Sequence, residues 1–424
     1  MREMKDSGIP WIGEIPKDWT IELIGNQVKE VNNPNTEGLE DNALQFKMGT
    51  IISKSRGDSK YNPETLEGYN IVDKGVIMLN GLNLSFDLIS QRVGLVRERG
   101  VITSTYLAVK PTKNIDSEYL TYLFKAYDNC KAFHSMGRGL RQTLSYGELR
   151  KYLLLYPSLA EQQRIAEFLD RKCAEVDEMI GLQEQIIEEL KAYKQSVITE
   201  AVTKGLNPDA PMRDSGIEWI GQIPEHWEVT KLKRIVKVSD GTHDTPEYID
   251  KDRNSYPLVT SRCIVDGEID ISLAHHISEQ DYIEISKRSA VSKYDVIMPM
   301  IGTVGNPAIL MTDDKIAIKN VALFRTYGDL DKAKYIKYYL NSLLVKEQFN
   351  FTFRGGVQNF VSQDIIKNLL FLMPEDYREV VNLLDTKCTE IDNLISIKQS
   401  KIDSLKEYKK SIIYEYVTGK KEVK

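Results

Sequence analysis

The chain has 424 residues, 42% hydrophobic and 28% charged, the balance of an ordinary soluble protein of two to four domains. No apolar run approaches membrane-spanning length and the opening MREMKDSGIPW has no apolar signal region, so a cytoplasmic location is expected. The net charge of −6 argues against a general affinity for nucleic acid, but the average hides a pattern. Residues 80–141 carry 9 Lys+Arg against 5 Asp+Glu, and residues 285–356 carry 11 against 6. Residues 157–205 carry 6 against 10. A nucleic-acid binder needs a basic face and not a basic total, although ordinary solvated surfaces would give the same counts.

Residues 4–19 read MKDSGIPWIGEIPKDW, and residues 212–227 read MRDSGIEWIGQIPEHW, identical at eleven of sixteen positions. Pro16 and Pro224 interrupt regular structure, so each copy is expected to be an ordered loop pinned by its indoles, Trp11 and Trp19 or Trp219 and Trp227. A motif kept twice serves either as a docking surface or as a cap on a core. Residues 20–156 then show short β-branched runs separated by turns, at Ile51–Ile52, 75–79, 93–96 and 101–109. Helical patterns follow at 117–133 and 145–152, giving an α+β region.

From Glu161 to Thr203 the apolar residues Ile165, Leu169, Val176, Ile180, Ile187, Leu190, Val197 and Ala201 recur every three or four positions, a heptad seam. At ~1.5 Å per residue such a helix is roughly 65 Å long and needs a partner along most of its length. Residues 384–418 supply one. Laid over 169–203 they are identical at 17 of 35 positions, with Cys173 over Cys388, Tyr193 over Tyr408 and Lys194 over Lys409. Two copies pair most simply as an intramolecular antiparallel coiled coil; the alternative is that each packs on its own domain. The scattered cysteines Cys130, Cys173, Cys263 and Cys388 form no C-x-x-C, and structural zinc or disulfides are not expected.

After the Pro/Gly linker 205–211, residues 228–372 repeat the first globular plan with looser identity: 293–298 echo 74–78, and Tyr335 and Tyr338 match Tyr119 and Tyr122. The organisation read is 1–156, 157–205, 206–372 and 373–424: two mixed α/β recognition domains joined by two long helices, with a pseudo-two-fold relation. Framework motifs agree closely between halves while the globular regions agree only in outline, as expected if two copies keep one scaffold and read different targets.

No catalytic constellation stands out. Asn207-Pro-Asp-Ala210 and Asn306-Pro-Ala308 lack the second proline and aromatic residue of an amino-methyltransferase motif, and there is no phosphate loop. Glu407-Tyr-Lys409 matches a nuclease pattern only trivially, and His275-His276 lacks helical ligand spacing. Binding chemistry is better represented. Arg138, Arg141 and Gln142 in one loop, with Arg354 and Gln358 in its counterpart, combine groups that bond guanine, adenine or phosphate with glycines that admit close backbone approach; a structural turn reads the same way. The polar loops holding Asn80, Asn83 and Ser85, or Thr303 and Asn306, are of the same kind. So are Arg92, the strand expected at 103–106 with Ser104 and Tyr106, and the opposing Lys319 and Asn320.

The doubled Ser-Gly-Ile-x-Trp-Ile-Gly-x-Ile-Pro-x-x-Trp motif resembles the specificity subunits of type I restriction–modification systems, as does Pro-x-x-x-Glu-Gln-x-x-Ile-Ala-x-x-Leu-Asp at 157–170. The resemblance covers nearly the whole chain, except that the second copy, from Pro374, lacks the Glu-Gln-Gln form. It implies a non-catalytic subunit in which each recognition domain reads one half of a bipartite site in double-stranded DNA. The helices act as a spacer. Two methyltransferase subunits dock on the scaffold, for which Trp11, Trp19, Trp219, Trp227, Gln162 and Gln163 are the candidate contacts. It further implies that S-adenosylmethionine, ATP and magnesium belong to partner subunits, and that two restriction subunits complete such complexes where cleavage accompanies methylation. The rival classes are a coiled-coil adaptor that binds only protein, and a stand-alone methyltransferase or nuclease.

Overall fold

The structure is a computed structural model that describes residues 2–38, 40–54, 66–86, 91–139, 142–302, 304–352 and 360–423. It divides into two compact units, Met1–Glu184 with Ser400–Lys424, and Gln185–Gln399. The division cuts through both long helices, Leu159–Lys204 and Tyr377–Val417, so each unit holds one globular region and a stretch of each helix. The second helix begins seven residues before the heptad pattern at Leu384, because Val380 and Val381 already face the core there. Mixed helices and sheets in two domains make the fold α+β.

Each unit is built on a four-stranded antiparallel sheet. In the first the order is Val28–Glu30, Leu107–Pro111, Ile77–Leu79, Val93–Leu95; in the second it is Lys237–Asp240, Val321–Arg325, Val296–Pro299, Ala308–Ile309. The central strands Ile77–Leu79 and Val296–Pro299 are buried on both faces, which is why they read as unbroken apolar runs. Behind the sheets lie the helices Ser117–Asn129 and Leu330–Asn341, capped by Asp116 and Asp329, whose carboxylates accept from Tyr119 N at 2.9 Å and Lys332 N at 2.8 Å. The first helix is shorter than its pattern over 117–133: Lys131 takes a left-handed φ of 58°, and a separate helix follows at Ala132–Met136. The second helical pattern, at 145–152, shortens to Tyr146–Leu149.

The doubled tryptophan motif is a short hairpin as well as a loop. Met4–Asp6 pairs with Glu14–Pro16, and Met212–Asp214 with Gln222–Pro224, in the same register. Its Asp-Ser-Gly core has a local reason. Asp6 and Asp214 accept from the amides of Gly8 at 3.0 Å and Gly216 at 2.9 Å, while those glycines take φ values of 65° and 75°.

Within each unit the long helices run antiparallel. In the first, Phe168 meets Tyr416 with ring centroids 4.3 Å apart, and Asp177 accepts from Lys409 Nζ at 2.6 Å. Ile165, Leu169 and Cys173 share one core with Ile413 and Val417. In the second, Lys194 Nζ donates to Asp392 at 2.6 Å, and Ile198, Ala201 and Val202 share a core with Val380, Leu384 and Cys388. Lys194 and Lys409 are duplicated positions, as are Asp177 and Asp392. The same ion pair is thus made twice, with donor and acceptor helices exchanged. The matched cysteines are small core residues of this seam.

Candidate nucleic-acid interface

In the first unit the sheet register places the candidate groups at one edge. Leu79 pairs with Leu107 and with Val93, so the next residue, Asn80, falls beside Tyr106 and Arg92. The loop after Asn80 is fastened to the loop before the short helix: Leu84 N donates to Gln142 O at 3.2 Å, and Leu144 N to Gly81 O at 2.8 Å. A Cβ at Gly81 would lie 2.6 Å from the Leu144 carbonyl, so this junction requires glycine. Asn80, Asn83, Ser85, Arg138 and Gln142 therefore form one loop cluster. Ser104 is exposed and Tyr106 half-buried in the neighbouring turn, Tyr106 against Phe46 at 5.2 Å. Residues 103–106 form that turn and not the expected strand, since pairing stops at Ile102 and resumes at Leu107. Arg138 is exposed on a tight turn closed by its own backbone bonds to Thr143, and its Nε lies 3.1 Å from Glu148.

Arg92 is corrected from a surface contact to a support. It is buried, and its guanidinium donates to the carbonyls of Asn80 at 2.9 Å, Leu82 at 2.7 Å and Asn83 at 3.4 Å. It holds the loop from beneath, as expected of a cation that must find acceptors once out of water.

The second unit builds the same edge from other residues. Pro299 pairs with Val321; Met300 N donates to Asn320 O at 3.2 Å, and Val361 N to Met300 O at 2.9 Å, repeating the loop-to-loop fastening. Asn306 is half-buried on this loop. Asn320, at φ 56°, sits opposite Thr242, whose carbonyl accepts from its amide at 3.1 Å. Lys319 is likewise corrected: it is buried, and its ammonium donates to the Thr245 hydroxyl. Arg141, Thr303, Arg354 and Gln358 lie outside the described residues.

A polar network missed in the sequence backs this second edge. Buried Asp240 accepts from Arg288 and, at 3.3 Å, from Gln363 Nε2. His243 Nε2 faces Asp240 Oδ2 at 3.0 Å while its Nδ1 faces Asn320 Oδ1 at 3.1 Å. The run Thr242-His-Asp-Thr245 directly after a strand was the available signal.

The candidate docking residues divide. Trp19 and Trp227 are only 1% and 3% exposed and belong to the cores. Each indole is seated on the glycine that ends a long helix: a Cβ at Gly419 would lie 3.1 Å from the Trp19 ring, and one at Gly205 3.1 Å from Trp227. Both glycines have positive φ, 70° and 74°, as helix C-caps. Gln162 is fully buried; its side chain accepts from Asp116 N at 2.8 Å and donates to Pro157 O at 2.9 Å, tying the long helix to the cap of the shorter one. In the second copy Tyr377 takes over this tie, its hydroxyl donating to the capping carboxylate of Asp329 at 3.0 Å. These three residues are therefore structural. Trp11 is half-buried, edge-on to Tyr127 at 5.9 Å, while Gln163 and Trp219 are exposed.

The helices display apolar residues that the heptad reading passed over. Met179, Leu182 and Tyr408 are exposed in the first unit, and Leu394, Ile397 and Tyr193 in the second. These are duplicated positions, so both copies keep the same outward stripe. In the first unit a cavity of about 200 Å³ beside the seam is lined by Arg97, Glu118, Tyr122 and Lys125. Burial pushes the Glu118 carboxyl up, and burial together with nearby Lys409 pushes the Lys125 ammonium down. Among the described residues no cluster of His, Cys, Asp or Glu could hold a metal, and no helix is long and apolar enough to cross a membrane.

Residues 95–192 match the type I restriction modification DNA specificity domain. The chain is 24% identical over 393 residues to the type I restriction enzyme MjaVIII specificity subunit of Methanocaldococcus jannaschii, covering 88% of each. It is 32% identical over 180 residues to the EcoBI specificity subunit of Escherichia coli, covering 41% of this chain and 38% of that one. Among solved structures, the HsdS subunit from Thermoanaerobacter tengcongensis superposes with a TM-score of 0.51 at 14% identity, covering 96% of this chain and 98% of that one. A chain solved in work on "complex assembly and conformational transition of the type I R-M system" reaches 0.69 at 14% identity, covering 96% and 99%. Over its matched domain, and along most of its length, the chain is similar to the specificity subunits of type I restriction–modification systems.

Proposed function

We propose that this chain is the non-catalytic DNA-reading subunit of a type I restriction–modification complex. Each globular region reads one half of a bipartite site in double-stranded DNA. The long helices set the spacer and dock two methyltransferase subunits, and S-adenosylmethionine, ATP and magnesium act in partner subunits. The observation that carries this reading is one sheet-edge frame built twice with different loops, each beside its own stretch of a reciprocal helix pair. A common frame with unlike loops is what two readers of unlike half-sites need, because sequence is read by the groups at the edge and position by the frame. Asn80, Asn83, Ser85, Ser104, Tyr106, Arg138 and Gln142 are the reading groups of the first edge, and Asn306 and Asn320 those of the second.

Deleting one matched heptad from each long helix tests it. Sequencing of methylated sites should show the same two half-sites at a changed spacing. An unchanged spacing refutes the spacer role, and loss of both half-sites from a folded, assembled complex refutes the assignment of reading to the globular regions.

A further inference from the structure

The two copies of the tryptophan motif differ in what covers their first indole. In the first unit the neighbourhood is filled by the chain itself. Tyr127 lies edge-on to Trp11, and the Tyr414 hydroxyl donates to the carbonyls of Trp11 and Ile12 at 3.1 Å each. Tyr152 spans the gap beside them, its hydroxyl donating to Ser135 O at 3.1 Å. In the second unit the positions matched to Tyr152 and Tyr414 hold smaller residues, while Phe351 stands where Ser135 does. Leu369, directly before Leu370–Leu372, stands where Tyr152 precedes Leu153–Tyr156, and Thr199 stands where Tyr414 does. Tyr339 reaches the carbonyl of Leu370 as Tyr127 reaches that of Leu153, but no tyrosine is among the described residues that line the space at Trp219.

What remains is a cavity of about 430 Å³ lined by Trp219, Phe351, Ile365, Leu369, Gln348, Asp364 and Asn368. Trp219 is 38% exposed. Gln348 is committed to the backbone of Leu370, donating at 3.1 Å and accepting at 2.8 Å, and the Asn368 side chain donates to Asp364 O and accepts from Lys233. The Asp364 carboxylate is the acceptor left at the rim.

We infer that this cavity is a receptor for one phenol-bearing ring, a tyrosine side chain supplied by the docked methyltransferase subunit. This rests on the specificity-subunit role proposed above. The ring lies on the Trp219 indole and the Leu369 floor, and its hydroxyl donates to Asp364. The chemistry of the occupant is read from the first unit, where tyrosine rings fill the same space from within. A flat aromatic group under an indole, with one polar atom at the rim, is the common form of an interface anchor. The two docking positions are then unlike: the first is closed by the chain, and the second is completed by the partner.

The test uses the full chain and two probes, N-acetyl-L-tyrosinamide and N-acetyl-L-argininamide, followed by the indole N–H resonance that Trp219→Phe removes. The tyrosine probe should shift that resonance, and Leu369→Tyr, which copies the first unit, should abolish the shift. Preference for the arginine probe, or a shift that survives Leu369→Tyr, overturns the inference. With the methyltransferase subunit, Leu369→Tyr should weaken assembly roughly 10- to 100-fold. Trp219→Ala, at an exposed position, should do the same with unchanged thermal unfolding. Equal assembly of wild type and both variants overturns the inference alone. Failure of the methyltransferase subunit to bind wild type overturns the specificity-subunit role instead, and a tyrosine-selective shift in that case still supports the ring receptor.

Discussion

Gln162 and Gln163 are adjacent glutamines at the start of the first long helix, and their fates in the fold are opposite. Gln162→Ala removes a side chain that is wholly buried and makes two well-formed backbone bonds, at 2.8 and 2.9 Å, with a third contact to Asn114 O at 3.4 Å. Its loss strands the Asp116 amide and the Pro157 carbonyl away from water. At about 1–3 kcal/mol for each stranded group, and discounting the long third contact, the cost is about 2–6 kcal/mol. Gln163→Ala alters an exposed position and should stay within about 0.5 kcal/mol. Urea unfolding followed by fluorescence of Trp11 and Trp19 separates the two, and hydrogen exchange at the Asp116 amide should accelerate only in Gln162→Ala. Equal stability of the two variants, with methyltransferase assembly lost only in Gln162→Ala, would refute the structural role and return this residue to the docking surface.

Arg138→Ala should weaken DNA binding by the assembled complex by about 1–3 kcal/mol at fixed salt with no change in melting, whereas Arg92→Met should lower the melting temperature; anisotropy titration and calorimetry distinguish them. Lys125 has its pKa lowered by burial, so the folded state sheds that proton more readily than the unfolded chain. Stability from this group is present above the ordinary lysine value of 10.5 and is lost as pH falls through the lowered folded value. Lys125→Met should therefore stabilise the first unit at pH 7 and flatten this part of the pH profile, checked by denaturation at pH 7 and near pH 10.5. Gly419→Ala places a Cβ 2.4 Å from Pro16 at a φ of 70° and should destabilise well beyond the ~1–2 kcal/mol of left-handed strain alone. Gly8→Ala, with φ 65° and nothing within 4 Å, should cost only that strain, and thermal melts give the difference.

The long helices and the doubled motif were legible because both rest on local pattern: a heptad period, and an Asp-Ser-Gly turn whose hydrogen bonds close within three residues. What repetition did not disclose was exposure. Trp19 and Trp227 read as docking contacts because their motif occurs twice, and Gln162 because it lies in the Glu-Gln-Gln run at the start of the first long helix, yet core positions and surface positions fit such patterns alike. Only the packing against Gly419, Gly205 and Asp116 tells them apart. Arg92 and Lys319 were misjudged for a related reason: a cation turns inward when carbonyls or hydroxyls from distant segments await it, and those partners are tertiary. Residues 103–106 have β-branched composition and still form a turn, because the pairing strands end on either side. The outward stripe of Met179, Leu182 and Tyr193 was visible in the letters, but the seam claimed the apolar periodicity first.

Tyr414 donates its hydroxyl to the carbonyl of Trp11, 403 positions earlier in the chain, and the Trp19 indole rests on Gly419. The second unit, by contrast, is one unbroken stretch, 185–399. On the ribosome the later half can complete its core first, while the earlier half waits with its indoles uncovered. At roughly 5–20 residues per second that wait lasts about 20–80 s. The segment most in need of a chaperone is thus the one made earliest.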